Sequence, residues 1–170
     1  MTTYQRIFGT GPRGLIISLM LLAIFVAFAK NSGFGPITDR DTMRHSIFGL
    51  SMVITTIIIL WSTKSLPPLQ RGKKLVTRGA YKYFRHPYYG AFLTFFNVGL
   101  AVFLNDWIYL LWAIILHPFW HWNVKGEERL MKREFPHEYP KYIRKTRRFV
   151  PTVGMGSPIP GKRRISETSR

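Results

Sequence analysis

Four uncharged apolar runs alternate with polar, mostly basic segments along the chain. The runs cover residues 14–29, 46–62, 88–104 and 107–122. Each contains 16 or 17 residues, near the lower end of the length that crosses a bilayer as a helix. Because only Asn105 and Asp106 separate the last two runs, we expect these to form a helical hairpin. The pattern therefore predicts an all-α integral membrane bundle with four transmembrane helices.

The first run has a second interpretation. Arg13, the apolar centre and Ala27-Phe28-Ala29 also resemble a signal peptide with its cleavage site. The apolar stretch is longer than a usual signal-peptide core, which favours a span that is retained. Cleavage would leave the orientation of the other helices unchanged.

Beyond the fourth run the chain becomes polar. Residues 125–135 have the apolar spacing of a short amphipathic helix, and Pro136 ends it. After Pro151 the sequence is rich in Gly, Pro, Ser and basic residues, which is typical of disorder. We therefore predict a single domain over residues 1–151, with a C-terminal cytoplasmic amphipathic helix, and a disordered basic tail over residues 152–170.

Charge predicts the orientation of the bundle. The formal net charge is +17, and 22 of the 25 Lys and Arg residues lie in the N-terminal segment, residues 63–87 and residues 123–170. The positive-inside rule places these segments, and both termini, in the cytoplasm of a multi-pass protein. Long apolar runs count against nucleic-acid binding, so the charge indicates contact with anionic lipids. The absence of cysteine excludes disulfides, a thiolate nucleophile and Cys-ligated metals.

A candidate site spans the third and fourth runs. Residues 75–90, LVTRGAYKYFRHPYYG, end a basic and aromatic stretch at Pro87, which suits the first position of a helix. His86 should therefore lie at a helix mouth, where backbone N–H groups favour an anion. The hairpin brings this segment close to Glu127 and Glu128. Two adjacent carboxylates near a membrane suggest a cationic ligand, or else they are solvated partners of nearby basic residues.

Two features within the apolar runs have simpler interpretations. His117 and His121 are four residues apart, but no third ligand is evident, so we predict no metal site. Asn97 lies inside the third run, where an amide bonds across helices or lines a cavity.

The two polar segments together resemble a known superfamily. LVTRGAYKYFRHPYYG followed by GEERLMKREFPHEYPKYIRKTRRFVP is similar to the isoprenylcysteine carboxyl methyltransferases and phospholipid N-methyltransferases. Their motifs G-P-Y-x-Y-x-R-H-P-x-Y-x-G, E-E-x-x-L and F-G-x-x-Y-x-x-Y recur in order over residues 72–151. The chain departs from them at Ala80, where Pro is usual, at Pro136, where Gly is usual, and at Asn123, where Arg is frequent.

This resemblance implies methyl transfer from S-adenosylmethionine to a lipophilic acceptor that enters from the bilayer. It implies catalytic roles for Glu127, Glu128 and Arg85. The residues it implies for cofactor binding are His86, Pro87, Tyr89, Gly90, Tyr81, Glu128 and Tyr139, with Tyr142 as a further aromatic candidate. The alternatives are a non-catalytic membrane scaffold of the same fold and a nicotinamide-dependent membrane reductase, a class whose members are longer and have more spans.

Overall fold

The computed structural model of the protein describes residues 9–32, 34–67, 70–71 and 73–152. Within these ranges every regular element is a helix, and the pairing of Phe84 with Arg147 is an isolated bridge. The all-α prediction is confirmed. Apart from Thr152, the predicted disordered tail lies outside the described residues.

The helices follow the apolar runs closely. They are α1 Gly11–Ser32, α2 Asp41–Ser65, α3 Ala80–Tyr83, α4 Pro87–Leu104, α5 Trp107–Asn123, α6 Lys125–Glu134 and α7 Tyr139–Lys145. Three of them, α1, α2 and α4, are long and apolar enough to cross a membrane. The observed ends extend beyond the apolar runs because polar residues continue the first and last turns, as Asp41 and Lys64 do in α2.

The turn between α4 and α5 forms as its sequence suggests. Asn105 adopts a left-handed conformation with φ 59°, which Asn tolerates better than most residues. The Asp106 side chain then caps α5 by accepting a 2.9 Å hydrogen bond from Ile108 N. The predicted hairpin is thereby confirmed.

The first half of α4 contains a π-helical segment, Ala91–Phe96. Wider π turns leave carbonyl groups with altered directions and are frequent near functional sites. Thr55 Oγ1 of α2 donates to the Ala91 carbonyl at 3.4 Å, within this segment. Thr94 Oγ1 donates to the Phe149 carbonyl at 3.2 Å, which ties α4 to the C-terminal part of the domain.

Helix α5 lies at the centre of the packing. It contacts both α1 and α4, while α2 packs on the other side of α4. Its buried side chains Trp112 and Leu116 belong to the main hydrophobic cluster. Trp120 Nε1 donates to Ser18 Oγ at 3.0 Å and joins α5 to α1. This arrangement leaves a groove between α1 and α4 with α5 as its floor.

Candidate active site

Main-chain hydrogen bonds bring the two motif segments together. Arg85 N donates to Arg147 O at 2.8 Å, and His86 N donates to Arg148 O at 3.1 Å. The short bridge thus aligns the residues before α4 with those after α7. As predicted, His86 lies at the mouth of the helix that begins at Pro87.

Glu128 is the centre of a buried ionic cluster. Arg148 binds it in a bidentate manner, with Nε to Oε1 at 2.9 Å and Nη2 to Oε2 at 2.6 Å. Arg85 Nη1 donates to the same Oε1 at 2.8 Å. The Glu128 side chain is only 8% exposed, so both arginines compensate a charge that water does not reach.

This cluster determines the ionisation of Glu128. Burial alone would raise the pKa of this carboxyl. Interactions with His86 and Arg148, together with the charge of Arg85, outweigh burial and hold the pKa well below its usual range. Glu128 is therefore a permanent anion whose negative charge is already balanced by its neighbours.

Glu127 has different surroundings. Its Oε1 accepts three hydrogen bonds: from Thr10 N at 2.5 Å, Thr10 Oγ1 at 2.7 Å and Tyr89 OH at 2.9 Å. Asn123 Nδ2 donates to Thr10 O at 3.3 Å and so holds the segment that carries two of these donors. The asparagine that replaces the family's arginine therefore positions Glu127 indirectly.

His86 lies between the two glutamates. Its Nδ1 is 3.5 Å from Glu127 Oε2, and its Nε2 is 3.5 Å from Glu128 Oε1. The ring stacks on Tyr89 with a centroid distance of 5.6 Å. The buried Nε2 therefore faces the ionic cluster around Glu128, whereas Nδ1 faces Glu127 at the edge of the cavity.

A cavity of about 570 Å³ begins beside these residues and continues between α1 and α4. Its polar end is lined by Arg71, Lys74, Tyr81, Tyr139 and Tyr142, in addition to Glu127 and His86. Farther in, it is lined almost entirely by apolar side chains. Leu15, Leu19 and Phe92 border it and are 55%, 55% and 44% exposed, so the cavity opens laterally towards the position of lipid.

The structure separates the predicted site residues into two groups. Those that line the cavity are Tyr81, Arg85, His86, Pro87, Tyr89, Glu127 and Tyr139. Glu128 and Gly90 are not among its lining residues. The Gly90 Cα faces the Phe149 carbonyl so closely that a Cβ would lie 2.7 Å from the oxygen, which gives this glycine a packing role. Burial raises the pKa of Tyr81, Tyr139 and Tyr142, and all three remain neutral phenols.

Sequence reasoning missed several residues of this region. Thr10 lies in a polar segment without a motif, 117 positions from the glutamate that it binds. Arg148 is one of four basic residues in a short stretch, and nothing in the pattern distinguishes it from its neighbours. Arg71, which lies over the Tyr88 ring at 4.5 Å, is likewise one of seven basic residues in its loop. Spacing alone contains no signal for these long-range partners.

The two histidines of α5 have no metal-binding arrangement around them. His121 Nδ1 lies 3.0 Å from Arg148 Nη1, at the edge of the ionic cluster. In the ranges that the structure describes, no group of three or more His, Cys, Asp or Glu residues could hold a metal ion.

Comparison with known proteins identifies the family. The sequence profile of the phospholipid methyltransferases matches residues 43–138, which include most of α2, all of α4 and α5, and both glutamates. The chain belongs to the phospholipid methyltransferase family. It is therefore a member of the integral membrane methyltransferase superfamily, as the two motif segments suggested.

One curated relative is the Protein-S-isoprenylcysteine O-methyltransferase B of Arabidopsis thaliana. It is 32% identical over 119 residues, which are 64% of this chain and 60% of the relative. The chain thus spans about 60% of the length of that protein. No solved structure matches the chain significantly.

Proposed function

We propose that the protein transfers a methyl group from S-adenosylmethionine to a lipophilic acceptor that enters the cavity from the bilayer. The main support for this proposal is one cavity that has ionic and aromatic groups at one end and a lateral apolar opening along its length. Family membership supports methyl transfer in general. The cavity supports the two kinds of ligand that this reaction must bring together.

The residues present fit the cofactor. Its ammonium and sulfonium groups are cationic, and Glu127 presents a carboxylate to the cavity. Its own carboxylate is matched by Arg71 and Lys74 at the polar end. The neutral phenols Tyr139 and Tyr142 pack against each other with ring centroids 6.0 Å apart, and both line the cavity, where they offer aromatic surface to adenine. His86 also lines the cavity and adds a polar side chain at this end.

The two glutamates have separate roles in this mechanism. When bound, the cofactor supplies an electrophilic methyl group on its sulfonium sulfur. Glu128 fixes Arg85 and Arg148 and holds the two motif segments in register. Glu127 would attract the cationic groups. For an amine acceptor it would take the proton that the nitrogen loses, while the bond between the methyl group and sulfur breaks and S-adenosylhomocysteine leaves as a neutral thioether. The apolar walls align the reactants and exclude water.

We also propose four membrane crossings with both termini in the cytoplasm. The contact between Arg85 and Glu128 supports this topology, because the starts of α4 and α6 would then lie on one side and α5 would return across the bilayer. The contact between Thr10 and Glu127 likewise agrees with an even number of crossings between them. With 17 residues, α5 rises about 25 Å, close to the bilayer core. The positive-inside rule then assigns the basic side to the cytoplasm.

Isothermal titration calorimetry of the detergent-purified protein tests the proposed function. Wild type should bind S-adenosylhomocysteine in the micromolar range, and His86→Ala should lose this binding. His45→Ala is the matched control, because His45 lies near the start of α2, away from the cavity-lining residues, where it bonds to the Asp41 carbonyl and contacts Phe103. Folded wild type that binds a nicotinamide dinucleotide instead, or neither ligand, would overturn the proposal.

A further inference from the structure

The inner part of the cavity contains an amide without a partner. Asn97 lies in the middle of α4, is 8% exposed and lines the cavity. The buried hydroxyls of the neighbouring helix segments all bond to carbonyls, as Ser62 Oγ does to Ile58 O at 2.6 Å. Among the described residues, the Asn97 side chain has no hydrogen bond of this kind. An amide in the wall of a largely apolar cavity offers a polar contact to a ligand that enters it.

A second unsatisfied polar group lines the same cavity. Trp112 of α5 is 3% exposed, and its buried Nε1 has no hydrogen-bond partner within the described ranges. Trp120, on the same helix, shows the usual situation, because its Nε1 donates to Ser18 Oγ. An indole N–H is only a donor, so the missing partner at Trp112 is a hydrogen-bond acceptor.

The two groups lie at similar depths in the hairpin. Counted from its turn, Asn97 is eight residues before Asn105, and Trp112 is six residues after Asp106. At a rise of about 1.5 Å per residue, these separations are about 12 and 9 Å. Because α4 and α5 pack side by side and both residues line the cavity, we take this part of its wall to contain both polar groups together with side chains such as Leu93 and Leu100.

We propose that Asn97 and Trp112 bind an ester carbonyl oxygen of the methyl acceptor, so that the acceptor has an ester at a depth where a prenylated acceptor has only hydrocarbon. The inference rests on the proposed function, since it concerns the acceptor of that reaction. One carbonyl oxygen has two lone pairs and accepts from both the Asn97 Nδ2 and the Trp112 Nε1. A prenyl tail at this depth would leave both donors unsatisfied, whereas the ester carbonyl of a glycerophospholipid satisfies them.

Binding of matched lipids tests this proposal without requiring turnover. The probes are two synthetic phosphatidylethanolamines with identical chains, one ester-linked and one ether-linked, and N-acetyl-S-farnesylcysteine. Their affinities for the detergent-purified full-length protein would be measured by native mass spectrometry. We expect wild type to prefer the ester-linked lipid about tenfold over the ether-linked one, as one or two neutral hydrogen bonds predict.

The variants locate the preference. Asn97→Leu should abolish the preference for the ester while leaving the affinity for the ether-linked lipid unchanged, and Trp112→Phe should reduce it. Trp120→Phe is the control, because its N–H already has a protein partner, and it should keep the preference. Equal binding of both phospholipids by wild type, a preference that survives in Asn97→Leu, or tighter binding of the farnesyl compound would each overturn the proposal.

Failure of the proposed function would give a different result. S-adenosylhomocysteine binding is measured on the same samples by calorimetry. An ester preference that depends on Asn97, in a protein that does not bind S-adenosylhomocysteine, would support the lipid site and refute methyl transfer. Normal S-adenosylhomocysteine binding without an ester preference would refute only the carbonyl site.

Discussion

Replacing each of the adjacent glutamates by glutamine tests the proposal that Glu128 is a structural carboxylate and Glu127 a ligand-binding one. Glu128→Gln removes the charge that balances Arg85 and Arg148, whose side chains are 14% and 22% exposed. Loss of one partner of a buried ion pair costs about 3 kcal/mol or more, because the remaining charges lose their compensation. For a domain of this size that corresponds to a fall of roughly 6 to 12 °C in the unfolding midpoint.

Glu127→Gln should behave in the opposite way. The glutamine Oε1 still accepts from Thr10 and Tyr89, so the three hydrogen bonds and the local geometry survive. The negative charge towards the cavity is lost, however, and a charge-assisted hydrogen bond to a cation contributes about 1.5 to 3 kcal/mol. We therefore expect at least about tenfold weaker binding of S-adenosylhomocysteine, with an unfolding midpoint close to wild type.

The assay is thermal unfolding followed by tryptophan fluorescence in detergent, combined with calorimetry of S-adenosylhomocysteine below the lowest midpoint. The two variants serve as each other's control, since they make the same substitution at neighbouring positions. The reasoning is refuted if Glu127→Gln is the less stable variant. It is also refuted if both variants lose stability equally, because the two carboxylates would then contribute equally to the stability of the fold.

Three further predictions concern packing, pH and a buried phenol. Gly90→Ala should destabilise the protein by about 1 to 3 kcal/mol in thermal unfolding, because the added Cβ would meet the Phe149 carbonyl. Gly126→Ala is the control: its added Cβ would have no neighbour within 4 Å, so this substitution should be neutral or stabilising. The native pKa of Glu128 is depressed, so in acid the unfolded state binds more protons than the folded state. The contribution of this ionised carboxyl to stability is therefore complete above about pH 5.5 and declines below about pH 4.5. As the pH is lowered through this range, the unfolding midpoint should fall more steeply for wild type than for Glu128→Gln. Tyr142→Phe should cost about 1 kcal/mol, measured in the same way, because the buried hydroxyl donates to main-chain carbonyls around α3 at 2.6 and 3.2 Å.

The sequence predicted those features that depend on local chemistry. The apolar runs matched helices because hydrophobic length determines which segments cross a membrane. Pro87 fixed the start of α4, and Asn105 with Asp106 fixed the hairpin, because each residue type has a strong conformational preference. The convergence of His86 with the glutamates followed from the hairpin that connects them.

The different surroundings of Glu127 and Glu128 were not predictable in this way. It depends on Thr10 and Arg148, which lie 117 and 20 positions from the glutamates that they bind. No periodic or turn signal specifies such pairs, since only the packing of α1 against α5 and the bridge after α7 bring them into reach. The sequence left two possibilities open for Asn97, and its place in the cavity wall was decided by the π segment and the helix packing around it.

The hydrogen bonds between Thr10 and Glu127 also determine when the site is completed during biosynthesis. The two residues are 117 positions apart, and ribosomes add about 5 to 20 residues per second, so roughly 6 to 23 s separate their synthesis. The segment before α1 is therefore made well before the carboxylate that binds it. A chain that ends before Glu127 has the residues of the apolar groove but lacks the acceptor for Thr10 N and Thr10 Oγ1, so the polar end of its cavity stays incomplete.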